Sequence, residues 1–149
     1  MSPATAAVAT VAAEPQHQIA RGFEVDFLPA DHSVGQMRRI IRATLRYWDL
    51  TALADDATLA ASELVTNAVR HGGGRPVGFR VWCSADELRM EVADGSPTRA
   101  RLRSADVADE NGRGLLLVSA VSKEWGVSPD GTTTWCSFAI PEGGTRRSP

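Results

Sequence analysis

Two strand-like runs, Val77 to Ser84 and Leu88 to Ala93, are separated by only the three residues Ala85-Asp86-Glu87. That spacing constrains the fold more than any other feature of the chain. Three residues can reverse a strand into a hairpin, whereas a parallel neighbour needs a crossover of a dozen residues or more. The pair is therefore expected to be antiparallel. A further strand is expected at Gly22 to Leu28, where Phe23, Val25 and Phe27 alternate with Glu24 and Asp26 before Pro29 ends the run. Two more are expected at Glu124 to Ser128 and Thr132 to Ile140, around the turn Pro129-Asp130-Gly131.

Helical spacing occupies the intervals. Asp31 or Ser33 is placed to cap a helix reaching Tyr47, with Val34, Met37, Ile40, Ile41, Leu45 and Trp48 on its apolar side. Arg38, Arg39, Arg42 and Arg46 cover the other side and read as a solvated face rather than a nucleic-acid stripe. A second helix is expected from Asp55 or Asp56 to His71, stopped by Gly72-Gly73-Gly74 with Pro76 beyond. The polar stretch from Ser96 to Asn111 reads as a loop. Gly114 to Val121, with Leu115-Leu116-Leu117-Val118, reads as a buried helix.

The order β, α, α, β, β, loop, α, β, β does not alternate regularly, so a doubly wound parallel sheet is not expected. The expected fold class is α+β: a two-layer α/β sandwich with helices packed on one face of a mixed, mostly antiparallel sheet. One domain is expected over residues 21–142, with tails at 1–20 and 143–149. Sixteen basic against 18 acidic side chains do not suggest a nucleic-acid partner. No apolar run approaches the roughly 20 residues that span a bilayer, and the first 13 residues lack the basic region that opens a secretory signal. A cytoplasmic location is the expectation. Cys83 and Cys136 both fall in strands and read as reduced buried thiols, a disulfide between them being the alternative.

The chemistry-bearing residues sit in three places. At about 100° per residue, Glu63, Asn67, Arg70 and His71 share one third of the second helix, opposite Ala57, Ala61, Leu64, Val65, Ala68 and Val69. Glu63 and Asn67, one turn apart, can reach one small object. An amide oxygen suits Mg²⁺, and a carboxylate one turn earlier can deprotonate a hydroxyl. Alone, such a face is more often solvated than catalytic. Asp94 closes a strand where Gly95-Ser96-Pro97 turn the chain, and Gly112-Arg113-Gly114-Leu115 place two glycines at the start of a helix, where backbone N–H groups favour phosphate. Each of these also has a plain reading, as a turn and as a loose helix start.

Taken in order, Glu63 to Gly72, Val92 to Ser96, Gly112 to Val118 and Gly131-Thr132 resemble the four ATP-binding boxes of the gyrase, chaperone and histidine-kinase ATPase superfamily. The resemblance is strongest to the single-domain serine kinases that act as anti-sigma factors, particularly the short actinobacterial members, and covers about residues 22 to 140. It implies a Bergerat-type ATP-binding fold with ATP and Mg²⁺ as cofactors. It implies that Asn67 holds Mg²⁺, that Glu63 is the general base, and that Asp94 accepts a hydrogen bond from the adenine amino group. Gly95 and Ser96 then let the backbone approach the base, Gly112, Arg113, Gly114 and Leu115 line the phosphates, and Thr132 lies near the adenine. His71 fits the motif but reads as structural. The sequence departs from the usual D-x-G-x-G adenine box, since Ser96 and Thr98 stand at its glycine positions.

The segment from Pro97 to Asn111 is short for an ATP lid, and Arg99, Arg101 and Arg103 alternate along it. Those arginines can neutralise phosphates, bind an acidic partner or simply be solvated. As partners the resemblance implies an anti-sigma antagonist, a sigma factor, or both, and a homodimer is possible. Three functions stay open at this point: a protein serine/threonine kinase, a module that binds ATP without transferring it, and a plain ATPase. Retention of Glu63 favours catalysis, because neither metal nor adenine binding needs a base there. With no phosphoacceptor histidine domain in view, a sensor histidine kinase is not expected. A Rossmann fold is excluded because Gly72-Gly73-Gly74 follows a helix.

Overall fold

The structure is a computed structural model, and it describes residues 21–94 and 110–141. In chain order the elements are β1 (Arg21–Phe27), α1 (Ser33–Tyr47), a 3₁₀ turn (Thr51–Leu53), α2 (Ala54–His71), β2 (Val77–Cys83), β3 (Glu87–Ala93), α3 (Glu110–Val121), β4 (Glu124–Val127) and β5 (Thr133–Ala139). The five strands form one sheet in the order β1-β2-β3-β5-β4. The expected hairpin is β2–β3, with Val81 opposite Met90 and Cys83 opposite Leu88. The mostly antiparallel sheet expected from the sequence is antiparallel at every pairing among the described residues.

One face of the sheet makes the core. Val77, Phe79, Val81 and Cys83 of β2, Leu88, Met90 and Val92 of β3, and Cys136 and Phe138 of β5 are buried at alternate positions. Each large apolar side chain taken out of water there contributes roughly 1.5–3 kcal/mol. Helix α2 packs over β2, β3 and β5, with α1 on one flank and α3 on the other. That position explains why α2 buries more than one stripe. Thr58, Ala60 and Ser62 are buried along with Ala57, Ala61, Leu64, Val65 and Ala68. These small side chains let the neighbouring helices approach.

Several local expectations are corrected. Neither Asp31 nor Ser33 caps α1, whose N-cap is His32; the Ser33 hydroxyl instead accepts the Ala30 N–H at 2.9 Å. Helix α2 starts at Ala54, with Asp55 and Asp56 in its first turn, where their charge favours the helix dipole. The arginine face of α1 is partly engaged: Arg42 pairs with Asp55 of α2 at 3.0 Å, and Arg38 donates to the Ser62 hydroxyl at 3.4 Å. Ile40, Leu116 and Leu117 are exposed rather than buried, so α3 is not the wholly buried helix its leucines suggest.

The disulfide alternative falls on topology. Cys83 lies on β2 and Cys136 on β5, with β3 between them and the two offset along the strands, so they stand at least roughly 9–10 Å apart at ordinary strand spacing. A disulfide needs Cα atoms within about 7 Å. Both thiols are free and buried. Burial pushes the Cys136 thiol up to about 12. The Cys83 thiol is also raised by burial, against the smaller opposing effect of Arg21.

Candidate functional site

Glu63 and Asn67 lie one helical turn apart on α2 and are both half-buried. Helix α3 runs beside that turn, and its Gly114 faces Glu63. A Cβ on Gly114 would stand 2.8 Å from Glu63 Oε1. The missing side chain is thus what admits the carboxylate. Because α3 begins at Glu110, four residues earlier than expected, Gly114 lies past the first four N–H groups that a helix leaves unbonded. Gly112 and Arg113 remain within that first turn. Leu115, next along α3, packs half-buried against the core.

Asp94 directly follows β3, and its N–H donates to the Thr132 carbonyl at 3.0 Å, extending the β3–β5 ladder by one step. It is 2% exposed. Its Cβ lies 3.6 Å from the place a Gly72 side chain would occupy. The C-terminal ends of α2 and β3 and the approach to β5 therefore meet at Asp94. Gly72 caps α2 with its N–H on the Ala68 carbonyl at 2.8 Å. Gly73 and Gly74 then take positive φ values of 64° and 82°, which turn the chain away from the site toward β2.

Thr132 reaches the site through its backbone only. Its hydroxyl donates to Asp130 Oδ1 at 2.8 Å, and the same oxygen accepts the Thr132 N–H at 3.0 Å and the Ser128 hydroxyl at 2.7 Å. The Ser128 hydroxyl, followed by the Thr132 N–H and hydroxyl, holds the Asp130 carboxyl below its ordinary value. Sequence reasoning missed Thr134. It is 8% exposed, opposes Val92, and so stands on the same sheet face as Asp94, one diagonal step away. The signal was present: Thr134, Cys136 and Phe138 alternate as the inner positions of β5, whereas Thr132 precedes the strand.

His71 Nε2 is buried without a hydrogen-bond partner among the described residues. Gly95 and Ser96, and the loop expected from Pro97 as far as residue 109, lie outside the described residues. Among the described residues, no helix is long and apolar enough to cross a membrane.

A helix face carrying a carboxylate and an amide, a buried acid at a strand end and a glycine-bearing helix start converge on one end of an α/β sandwich. The arrangement gathers polar side chains, a buried acid and a helix start at one end of the fold. The sequence profile of the histidine kinase-like ATPase domain matches residues 27–138, and the chain belongs to that family. Membership implies ATP binding. No curated protein matches the chain.

Proposed function

We propose that the protein is an ATP- and Mg²⁺-dependent protein serine/threonine kinase that acts as an anti-sigma factor in partner-switching control of transcription. Its partners on this reading are an antagonist protein, which it phosphorylates, and a sigma factor. The observation that carries the kinase reading is the Glu63 carboxylate lodged against Gly114 of α3, one turn from Asn67. A base in that position is superfluous for holding nucleotide and useful for deprotonating a hydroxyl.

The residues fit the nucleotide and its metal. The absence of a side chain at Gly114 lets the Glu63 carboxylate lie against α3, and Gly72 brings the end of α2 to within contact of Asp94. Among the described residues, no group of three or more His, Cys, Asp or Glu side chains can hold a metal by itself. The Asn67 amide oxygen is a hard donor of the kind that suits Mg²⁺ arriving with the phosphates, and it is the protein's ligand on this reading. When bound, Mg²⁺ neutralises the charge that develops on the transferring phosphoryl group. Asp94 fixes the adenine by accepting its amino group, Gly112 and Arg113 offer backbone N–H groups to phosphate, and Glu63 accepts the proton of the attacking serine hydroxyl.

Phosphotransfer from labelled ATP to candidate antagonist proteins of the same genome tests this. Glu63→Gln keeps the size and hydrogen bonding of the side chain but removes the basic oxygen. It is expected to bind ATP normally and to transfer phosphate about 10²–10⁴-fold more slowly, the usual contribution of a general base. Transfer by Glu63→Gln at the wild-type rate would remove Glu63 from the mechanism. A wild-type protein that binds partners in an ATP-dependent way but phosphorylates none would be a non-catalytic module.

A further inference from the structure

β1 stands at an edge of the sheet: β2 pairs with one side of it, and no strand among the described residues pairs with the other. A seven-residue edge strand carries a row of backbone N–H and C=O groups that an added strand can complete. Proteins usually blunt such edges with proline, a bulge or an inward-pointing charge. β1 contains no proline and pairs with β2 at every position from Arg21 to Phe27 without a bulge. Its inner-face residues Phe23, Val25 and Phe27 are only half-buried, while Glu24 and Asp26 are exposed on the outer face of the sheet, away from the helices.

The acids are not solitary. Glu24 and Asp26 line a cavity of about 260 Å³ together with Gly78, Arg80 and Glu91. Glu91 is already matched, by Arg80 at 2.8 Å and Arg89 at 3.6 Å, whereas Glu24 and Asp26 have no ion pair among the described residues. Gly78 opposes Asp26 in the β1–β2 register, and a Cβ there would stand 3.0 Å from Asp26 Oδ1. The glycine thus leaves the outer face of the sheet open beside Asp26, on the β2 side of the strand. Charge decides what can occupy that edge. Two copies of β1 paired antiparallel would set Glu24 and Asp26 of both chains on one face, and like charges across a strand pair are destabilising. A strand with basic residues at alternate positions has the opposite fit.

We propose that the open edge of β1 is a strand-addition site for an extended basic segment of a partner protein. That segment has Arg or Lys at every second position, facing Glu24, Asp26 and the groove, with apolar residues between them covering Phe23, Val25 and Phe27. The proposal stands apart from the kinase reading and needs no nucleotide.

The test uses the full chain and a fluorescein-labelled peptide alternating Arg with Val and Leu, followed by anisotropy without nucleotide. Saturable binding is expected. It should weaken roughly tenfold for the Glu24→Lys/Asp26→Lys variant, which turns attraction into repulsion at two cross-strand positions, and by a smaller factor for Glu24→Gln/Asp26→Asn, which secures the comparison if the first variant folds poorly. Because strand addition uses alternate amides of the added chain, N-methylation of one alternate set should abolish binding and of the other should spare it. Absence of binding at millimolar peptide, equal binding by the charge variants, or equal effects of the two methylation patterns would each overturn the proposal. A wild-type chain that is dimeric, and whose dimer tightens in Glu24→Gln/Asp26→Asn as the like-charge repulsion is relieved, would assign the edge to a second copy and overturn it too.

Discussion

At the scale of single residues, the most informative contact is the one a side chain would prevent. Gly114 is mid-helix, where alanine is favoured over glycine by about 1 kcal/mol. Yet a Cβ there would meet Glu63 Oε1 at 2.8 Å, so the carboxylate must move. Gly114→Ala is therefore expected to leave thermal stability unchanged or slightly raised while lowering phosphotransfer, a split that melting curves and a transfer assay resolve together. Asp130 offers a second check. Its hydrogen bonds hold the folded carboxyl below the ordinary 3.8. The turn's contribution is thus fully present above that value and is lost as pH falls through it toward the folded pKa. A titration of Asp130 by NMR should show a midpoint below 3.8, and Asp130→Ala should flatten the acid limb of the stability curve. The placement of Glu63 and Asn67 on one helix and of Asp94 at a strand end was legible in the sequence because each lies in a local pattern. The pairing of Gly114 with Glu63 was not, because it joins residues about fifty positions apart, and Thr134 was passed over although its alternation with Cys136 and Phe138 marks it as an inner position.

At the scale of elements, the strands and the first two helices were legible because their periods are clean and their hairpin turn is short. Helix α3 was legible only in part. Two glycines in Glu110-Asn111-Gly112-Arg113-Gly114 depress helix propensity, so its first turn read as loop, and the exposure of Leu116 and Leu117 depends on packing that periodicity does not encode. Strand β4 shows how one element depends on another's bare backbone. Gly126 lies under Trp135, and a Cβ there would come within 2.9 Å of the indole. Trp135 in turn carries Arg89 stacked 4.0 Å from its ring centroid. Gly126→Ala must displace that ring and is expected to cost about 1–3 kcal/mol in denaturant unfolding.

At the scale of the whole molecule, a helical layer covers one sheet face and one end of the sandwich holds the candidate site. The sealed core has a chemical signature. Cys136 is inaccessible and its thiol is pushed up to about 12, while in the unfolded chain it ionises near 9. Stability should therefore decline as pH rises above about 9, since the unfolded state then releases a proton that the folded state keeps. Neither cysteine should react with a thiol reagent at pH 8 until denaturant is added. ATP with Mg²⁺ at a hundred times its dissociation constant should stabilise the fold by about 2.7 kcal/mol, provided it binds the folded state alone. The central claim is that Asp94 reads adenine and Asn67 holds the metal in one site. Calorimetric titration of the wild type, Asp94→Asn and Asn67→Ala with ATP and GTP, each with and without Mg²⁺, tests it most directly. The account predicts that wild type prefers ATP, that Asp94→Asn loses the preference, and that Asn67→Ala loses mainly the Mg²⁺-dependent part of the affinity; a wild type that binds no ATP at millimolar concentration, or an Asp94→Asn variant that keeps the full preference, would contradict it.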